Sequence, residues 1–412
     1  MKNNTIEIID GIMGSGKTTG IIKWMNKNPQ YKYMYISPLL TEVNERIPVE
    51  CEGLDFESPN TNNHRTKAGH LKDLLASGSN VSFTHSLFTS LTEEHLHLIN
   101  REGYILIIDE EIDFIDQYQG KDYKREDIIT LEKSGHIEVL EDQLGRVKWT
   151  WDTDKFEDGS NYAKLKRMCD LEMLHCAKRD RGMVVVHLPI ALLHASKRTI
   201  VMTYMFDGSV MSRFMEMKGV NVEYFSELDF IKTEAQVKVE ACNLIEMVDT
   251  PSTRKVGNVS SKRLTASWYK NSATKDDLNA LERALNSVCR KYKKDQVLYT
   301  LPKHIVLPAH GKPSVKVRGY PATECFLYAG TRATNLYSDR TVMIHAFNRY
   351  PLLSVSSYLQ DYGFPVDQDH FALTEMIQWI WRSAIREGNP IKLCIIPIRM
   401  RRLFDKWLDG VY

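Results

Sequence analysis

Ten consecutive residues, Asp10-Gly11-Ile12-Met13-Gly14-Ser15-Gly16-Lys17-Thr18-Thr19, constrain this chain more than any other stretch. They stand between an apolar run at 6–9 and a helix-like segment at 20–26. Gly11, four residues, then Gly16-Lys17-Thr18 is the spacing of a phosphate-binding P-loop, and strand-loop-helix is the context that motif requires. Gly11, Gly14 and Gly16 let backbone N–H groups turn inward around an anion without Cβ clashes. A helix beginning near Lys17 aims its N-terminal dipole at the same anion. Lys17 can reach the β- and γ-phosphates, and the Thr18 hydroxyl can ligate Mg²⁺. Met13, Ser15 and Thr19 complete the candidate nucleotide-binding set. The stretch predicts a nucleoside triphosphatase.

A P-loop needs an acidic partner, and the run Tyr104-Ile105-Leu106-Ile107-Ile108-Asp109-Glu110-Glu111 supplies one. Its apolar residues, bounded by charge, suit a fully buried parallel strand. Asp109 at the C-terminal end is placed to hold Mg²⁺ through water, opposite Thr18, and Glu110 can polarise the attacking water. Between the two motifs, 33–38 is a β-rich run ended by Pro38, and 39–46 starts a helix. Residues 51–66 are polar and loop-like, 67–76 are helical, and 81–86 run from a strand into a polar loop. The next strand of comparable quality is 199–204, ninety residues past Asp109 and far more than a strand-helix-strand step needs. An insertion is therefore expected at about 117–182, with a β-hairpin from 136–140 and 146–151 and a helix over 161–179. It is either a small decoration or a strand-guiding element. The lack of aromatic-basic alternation favours decoration.

The totals narrow the classes. A chain of 412 residues can form two or three domains. No run of about 18 apolar residues exists, so no membrane span is expected, and the N-terminus has no secretory pattern. Seven scattered cysteines without a C-x-x-C pair read as reduced thiols, which places the protein in the cytoplasm, the host's if viral. Cys169, His175 and Cys176 lie close in sequence, but a fourth zinc ligand is not evident, and ordinary helix positions explain them. The net charge of +1 gives no global field for nucleic acid. Locally, 382–406 holds seven Lys/Arg against Glu387 and Asp405, either a solvated face or a phosphate-tracking groove.

In the second half, a strand is expected at 237–241 and a polar excursion or linker at 250–275. Residues 275–292 form a helix with Leu278, Leu281, Leu285 and Val288 on one face. Strands are expected at 296–303, 325–328, 341–346 and 391–396, and a closing helix at 399–408. A helix over 371–386 would carry Glu375, Gln378, Arg382 and Arg386 on one track.

These blocks, taken together, resemble the superfamily 2 helicases, in particular phage-type DEAD/DEAH-like helicases and, more remotely, herpesvirus origin-binding helicases. The P-loop matches motif I, Ile36-Ser37-Pro38-Leu39-Leu40 motif Ia, and Thr84-His85-Ser86 motif Ib. Asp109-Glu110-Glu111 matches motif II, with Glu111 where that family has Ala, and Thr203-Tyr204 stands at motif III. The strand at 296–303 is similar to motif IV, and Ala329-Gly330-Thr331-Arg332-Ala333-Thr334-Asn335 to motif V. Gln378-Trp379-Ile380-Trp381-Arg382 resembles motif VI, with Trp381 for Gly and the second arginine one residue late at Arg386.

The resemblance implies an α/β fold of two RecA-like domains in tandem, each a parallel sheet flanked by helices. The first would span 1–230 with the insertion, and the second, lacking its own P-loop, 231–412. ATP would lie in their cleft with Mg²⁺, and a nucleic-acid strand would lie across both. Strand contacts would come from Ser37, Pro38, Thr84, His85, Thr300, Lys303, Thr331, Arg332, Thr334 and Asn335. Gln378, Arg382 and Arg386 would sense the γ-phosphate; which arginine is the finger stays open. Only ten residues precede the P-loop, so no adenine-reading segment and no base selectivity are implied.

The activity implied is an ATP-dependent helicase or translocase on single-stranded or forked DNA, with RNA open. It would work as a monomer, with replication proteins as partners, in phage replication or recombination. The alternative is a nucleotide-dependent switch or loader that binds a partner protein without unwinding. A packaging motor of the terminase kind lacks its nuclease-type acid cluster, and a small-molecule kinase leaves the second half unexplained.

Overall fold

The computed structural model describes residues 5–119, 124–152, 162–228, 231–331 and 336–412. The strands expected beside the P-loop form: β1 (Thr5–Asp10), β2 (Tyr33–Ser37), β3 (Val81–Thr84) and β4 (Ile105–Asp109). Five short strands follow in the region of the expected insertion and extend past both its bounds: β5 (Ile115–Gln117), β6 (Ile137–Leu140), β7 (Arg146–Trp149), β8 (Leu174–Cys176) and β9 (Val184–His187). Then come β10 (Arg198–Thr203) and β11 (Asn221–Tyr224). The last four are β12 (Ile245–Met247), β13 (Val297–Thr300), β14 (Val342–His345) and β15 (Ile391–Ile395). The chain divides into two compact units: Met1–Asp10, Thr18–Asp229 and Pro351–Asp367 form one, and Gly11–Lys17, Phe230–Tyr350 and Gln368–Tyr412 the other.

The first unit is built on a six-stranded parallel sheet in the order β11-β1-β10-β4-β2-β3. Ile105 to Ile108 are 0% exposed, which is why this strand reads as unbroken apolar sequence and not as alternation. Helices Lys17–Lys27 and Lys67–Ser77 bury Ile21, Met25, Leu71 and Leu75. Pairing runs Asp10↔Thr203 and Met202↔Asp109, so β1, β10 and β4 end at one rim.

The insertion carries its own antiparallel sheet, β5-β9-β8-β7-β6, over a core of Ile128, Ile137, Val147, Leu165 and Leu174. The hairpin forms as expected, with Leu144 (φ 57°) and Gly145 (φ 68°) making its turn. The helix expected over 161–179 stops at Asp170, and residue 161 lies outside the described residues. Glu172, at φ 56°, takes the left-handed turn that glycine usually signals. Leu174, His175 and Cys176 then enter the sheet as β8, all buried. The His175 and His187 rings stack with centroids 3.7 Å apart. In the same unit, helix Leu353–Asp361 closes on this sheet: the Tyr358 hydroxyl donates to the Leu144 carbonyl at 2.7 Å, and Asp361 accepts from the Arg179 N–H at 2.9 Å.

The second unit holds a four-stranded parallel sheet, β12-β15-β14-β13, under helices Lys275–Cys289 and Ile398–Leu408. Residues 237–241 are not a strand but lie inside helix Glu234–Leu244, whose start is fixed by reciprocal bonds between Thr233 and Gln236. The stretch 250–275 is likewise ordered into helices Pro251–Gly257 and Ala266–Asn271, capped by Thr250 and Thr265. A Cβ on Gly257 would overlap the Ile396 carbonyl oxygen, so only glycine permits that approach. In place of a strand at 325–328 there is one bridge, Tyr299↔Phe326, because Pro321 starts the turn Ala322–Cys325. Among the described residues no helix is long and apolar enough to cross a membrane.

Buried histidines make stability pH-dependent. Burial, with the charge of Lys218 nearby, holds His175 down to about 4. Burial holds His345, with Arg349 nearby, to about 3 and His187 well below its ordinary value. In the unfolded chain such rings titrate near about 6.5, so below that pH the unfolded state binds more protons. This stability is complete above about 6.5 and is lost progressively as the pH falls toward about 4. The thermal midpoint followed by circular dichroism is expected to fall steeply from pH 7 to pH 4.5; a flat profile would refute the account.

Candidate functional site

Parallel α/β sheets bind ligands beyond the C-terminal ends of their strands. At that rim of the first unit three strand ends meet: Asp10 of β1, Thr203 of β10 and Asp109 of β4. The Asp109 carboxylate accepts from the Ser37 hydroxyl at 3.3 Å, and its carbonyl pairs with the His85 ring at 2.9 Å. Burial, with the charge of Asp109 close by, pushes the Tyr35 phenol well above its ordinary value, so it stays neutral beneath the acid. Glu110 sits at φ 65°, a conformation uncommon for a residue with a Cβ, and its N–H donates to the Met202 carbonyl at 3.0 Å. The Thr203 hydroxyl donates to Glu111 at 2.8 Å, which gives the extra acid of the Asp-Glu-Glu run a partner.

The phosphate loop adopts the conformations its glycines permit: Gly14 at φ 82° and Gly16 at φ 90°. A Cβ on Gly16 would come within 2.7 Å of Ile231 of the same unit, whose N–H donates to the Ser15 carbonyl at 3.0 Å. The Lys17 ammonium donates to the carbonyls of Gly11 and, at 3.2 Å, Ile12. The Ser15 hydroxyl is 2% exposed and has no hydrogen-bond partner among the described residues, as suits a group meant for a ligand's oxygen. Thr19 accepts from Arg46 at 3.2 Å. For a divalent cation the available donors, the Thr18 hydroxyl and the Asp109 carboxylate, are hard oxygens of the type magnesium prefers.

Other sequence-selected positions are distributed less simply. Ser37 and Thr300 are both 0% exposed, so neither hydroxyl lies on a surface that a strand could touch. Pro38, Thr84 and Thr331 are half-buried, and Lys303 is exposed at the start of the turn Lys303–Val306. His85 is engaged with the Asp109 carbonyl. Arg332, Thr334 and Asn335 lie outside the described residues. The helix expected over 371–386 runs only from Gln368 to Ile380. There the Ser383 hydroxyl takes the Ile380 carbonyl at 2.7 Å, and the Ala384 N–H turns to the Arg340 carbonyl at 2.9 Å. Gln378 is therefore helical, Arg382 is 7% exposed beyond the helix end, and Arg386 is exposed on a separate turn, Ala384–Glu387.

Sequence reasoning missed two contributors. Asp10 stands only at the edge of the motif, yet its carboxylate accepts the N–H groups of Met205 and Phe206, each at 2.8 Å. Its signal was a charge ending an apolar strand directly before the first P-loop glycine. Arg349 is the other: it pairs with Glu375, donates to the Tyr328 hydroxyl at 2.7 Å and lies over the rings of Tyr328, Phe347 and Phe371. No local pattern marks it. A Cβ on Gly330 would stand 3.2 Å from its guanidinium, so this cluster supports the loop leading to Thr331.

Comparison with known proteins bears on this geometry. Residues 239–408 match the family of the YonV C-terminal Rossmann-like domain. Over 434 aligned positions the chain is 26% identical to the SPbeta prophage-derived uncharacterized protein YonV of Bacillus subtilis strain 168, covering 98% of this chain and 99% of that one. The solved structure described as "XPD_APO" superposes with a TM-score of 0.56 at 14% identity, covering 99% of this chain and 96% of that one. Another, described as "XPD_Helicase", gives a TM-score of 0.46 at 11% identity over 99% and 95%. The chain thus has an α/β fold with parallel sheets flanked by helices, similar overall to an XPD structure.

Proposed function

We propose that this protein is an ATP-dependent nucleic-acid helicase or translocase, acting on DNA in phage replication or recombination. The observation that carries the reading is the shared rim of β1, β10 and β4, where the P-loop strand, Thr203 and Asp109-Glu110 end together. The XPD-like fold supports it, and the prophage-derived relative supports the phage setting. Gly14, Ser15 and Gly16 would cradle the phosphates with backbone N–H groups, and Lys17 would exchange its loop carbonyls for phosphate oxygens. Magnesium held by Thr18 and Asp109 would neutralise phosphate charge. Glu110 would take the proton of the attacking water, and Arg382 or Arg386 would meet the charge that develops on the γ-phosphate. Hydrolysis would alter the grip on a strand held mainly by its phosphates.

Strand displacement on forked DNA and RNA tests the reading. Displacement is expected only with hydrolysable ATP and a single-stranded tail. A strand held through about four phosphates would lose roughly 50-fold in affinity between about 50 and 200 mM salt. Hydrolysis stimulated by a protein partner, with no displacement on any substrate, would favour a loader instead.

A further inference from the structure

The turn after β10 is held from both sides by carboxylates. On one side Asp10, the last residue of β1, accepts the N–H groups of Met205 and Phe206 at 2.8 Å each. On the other, Thr203 donates to Glu111 at 2.8 Å, two residues past Asp109. The turn itself is not relaxed: Met205 stands at φ 58°, a conformation a side-chain-bearing residue keeps only when its surroundings impose it. Tyr204 and Phe206 are 3% and 2% exposed, so the segment is packed in place. A carboxylate accepting two adjacent backbone N–H groups is a short, charge-assisted link that an amide only partly reproduces.

Asp10 is covalently the residue before Gly11, so its carboxylate and the two N–H groups it holds stand one peptide bond from the phosphate loop. We infer that Asp10 is a positioning residue: it ties the 203–206 turn to the phosphate loop, so that an occupied loop fixes Thr203 and, through Glu111, the backbone carrying Glu110. The inference rests on the triphosphatase reading above. Asp10 touches no reacting atom in this scheme; it sets where the general base stands.

The test is Asp10→Asn, assayed beside the wild type for fluorescent ATP binding and for steady-state hydrolysis. The expected result is nucleotide affinity and KM within about threefold of wild type and kcat lowered at least tenfold. A merely structural role would lower the midpoint of unfolding and the active fraction without splitting kcat from KM. Because the variant could misfold, wild-type hydrogen exchange is measured as well: amides in 203–208 should gain protection with the non-hydrolysable analogue AMP-PNP. Wild-type kcat in Asp10→Asn, or exchange at 203–208 indifferent to AMP-PNP, overturns the inference alone. A wild type that neither binds nor hydrolyses ATP overturns the proposed function first and this inference with it.

Discussion

Lys17→Ala is expected to lower kcat/KM for ATP hydrolysis by about 10²–10³-fold, a loss of roughly 3–4 kcal/mol of transition-state stabilisation. The ammonium is held at the mouth of the loop by the carbonyls of Gly11 and Ile12, within the turn that Gly14 and Gly16 make possible at positive φ. In the transition state negative charge builds on the oxygen leaving between the β- and γ-phosphates, so a fixed cation set against those phosphates contributes most there. Alanine removes the charge without touching the backbone, and the helix Lys17–Lys27 keeps its buried face of Ile21, Ile22, Trp24 and Met25. Thermal stability without nucleotide should therefore stay near wild type while both binding and turnover fall. Hydrolysis within a few-fold of wild type would mean that this loop is not the site of turnover.

Glu110→Gln is expected to separate binding from chemistry. General-base catalysis is worth about 10²–10⁴-fold, and glutamine keeps the size of the side chain while losing its basicity. The same left-handed backbone at φ 65° must be adopted by either residue, so the replacement adds no new strain. Nucleotide affinity is expected within a few-fold of wild type, with kcat lowered by about 10²-fold or more. Asp109→Asn should differ by weakening Mg²⁺-dependent binding as well, since the Asp109 carboxylate is the proposed cation ligand. Equal loss of affinity in both variants would contradict the division of labour between the two acids.

Local sequence carried the parts of the fold that local energetics decide. The P-loop, the buried strand ending at Asp109 and the hairpin at 136–149 are each specified by a run of neighbouring residues, and the structure has them where the sequence puts them. Where tertiary context decides, the sequence misled. Val237 to Ala241 looks β-rich, but Thr233 and Gln236 cap a helix through them; the Thr-x-x-Gln signal was there to be read. Leu174 to Cys176 follow a helical run without glycine or proline, and only the need of the insertion's sheet for a strand between β7 and β9 makes them β8. The helix of Gln378 stops where backbone bonding tightens to three residues, the Ser383 N–H and hydroxyl share the Ile380 carbonyl and the Ala384 N–H turns to Arg340, an arrangement that spacing cannot reveal. The site shows the same division. The motif chemistry that proposes Lys17, Thr18, Asp109 and Glu110 is local, whereas the Asp10 carboxylate accepts backbone N–H groups 195 and 196 positions away, a partnership no sequence pattern encodes.

The most direct measurement is the rate of ATP hydrolysis by the full chain with and without single-stranded DNA, at low salt and saturating nucleotide. A motor that moves on a strand must couple its turnover to that strand, so the rate is expected to rise by about tenfold or more and to fall back as salt releases the DNA. A rate that is measurable but indifferent to single-stranded DNA and RNA alike would contradict the helicase reading and leave a nucleotide-hydrolysing switch in its place.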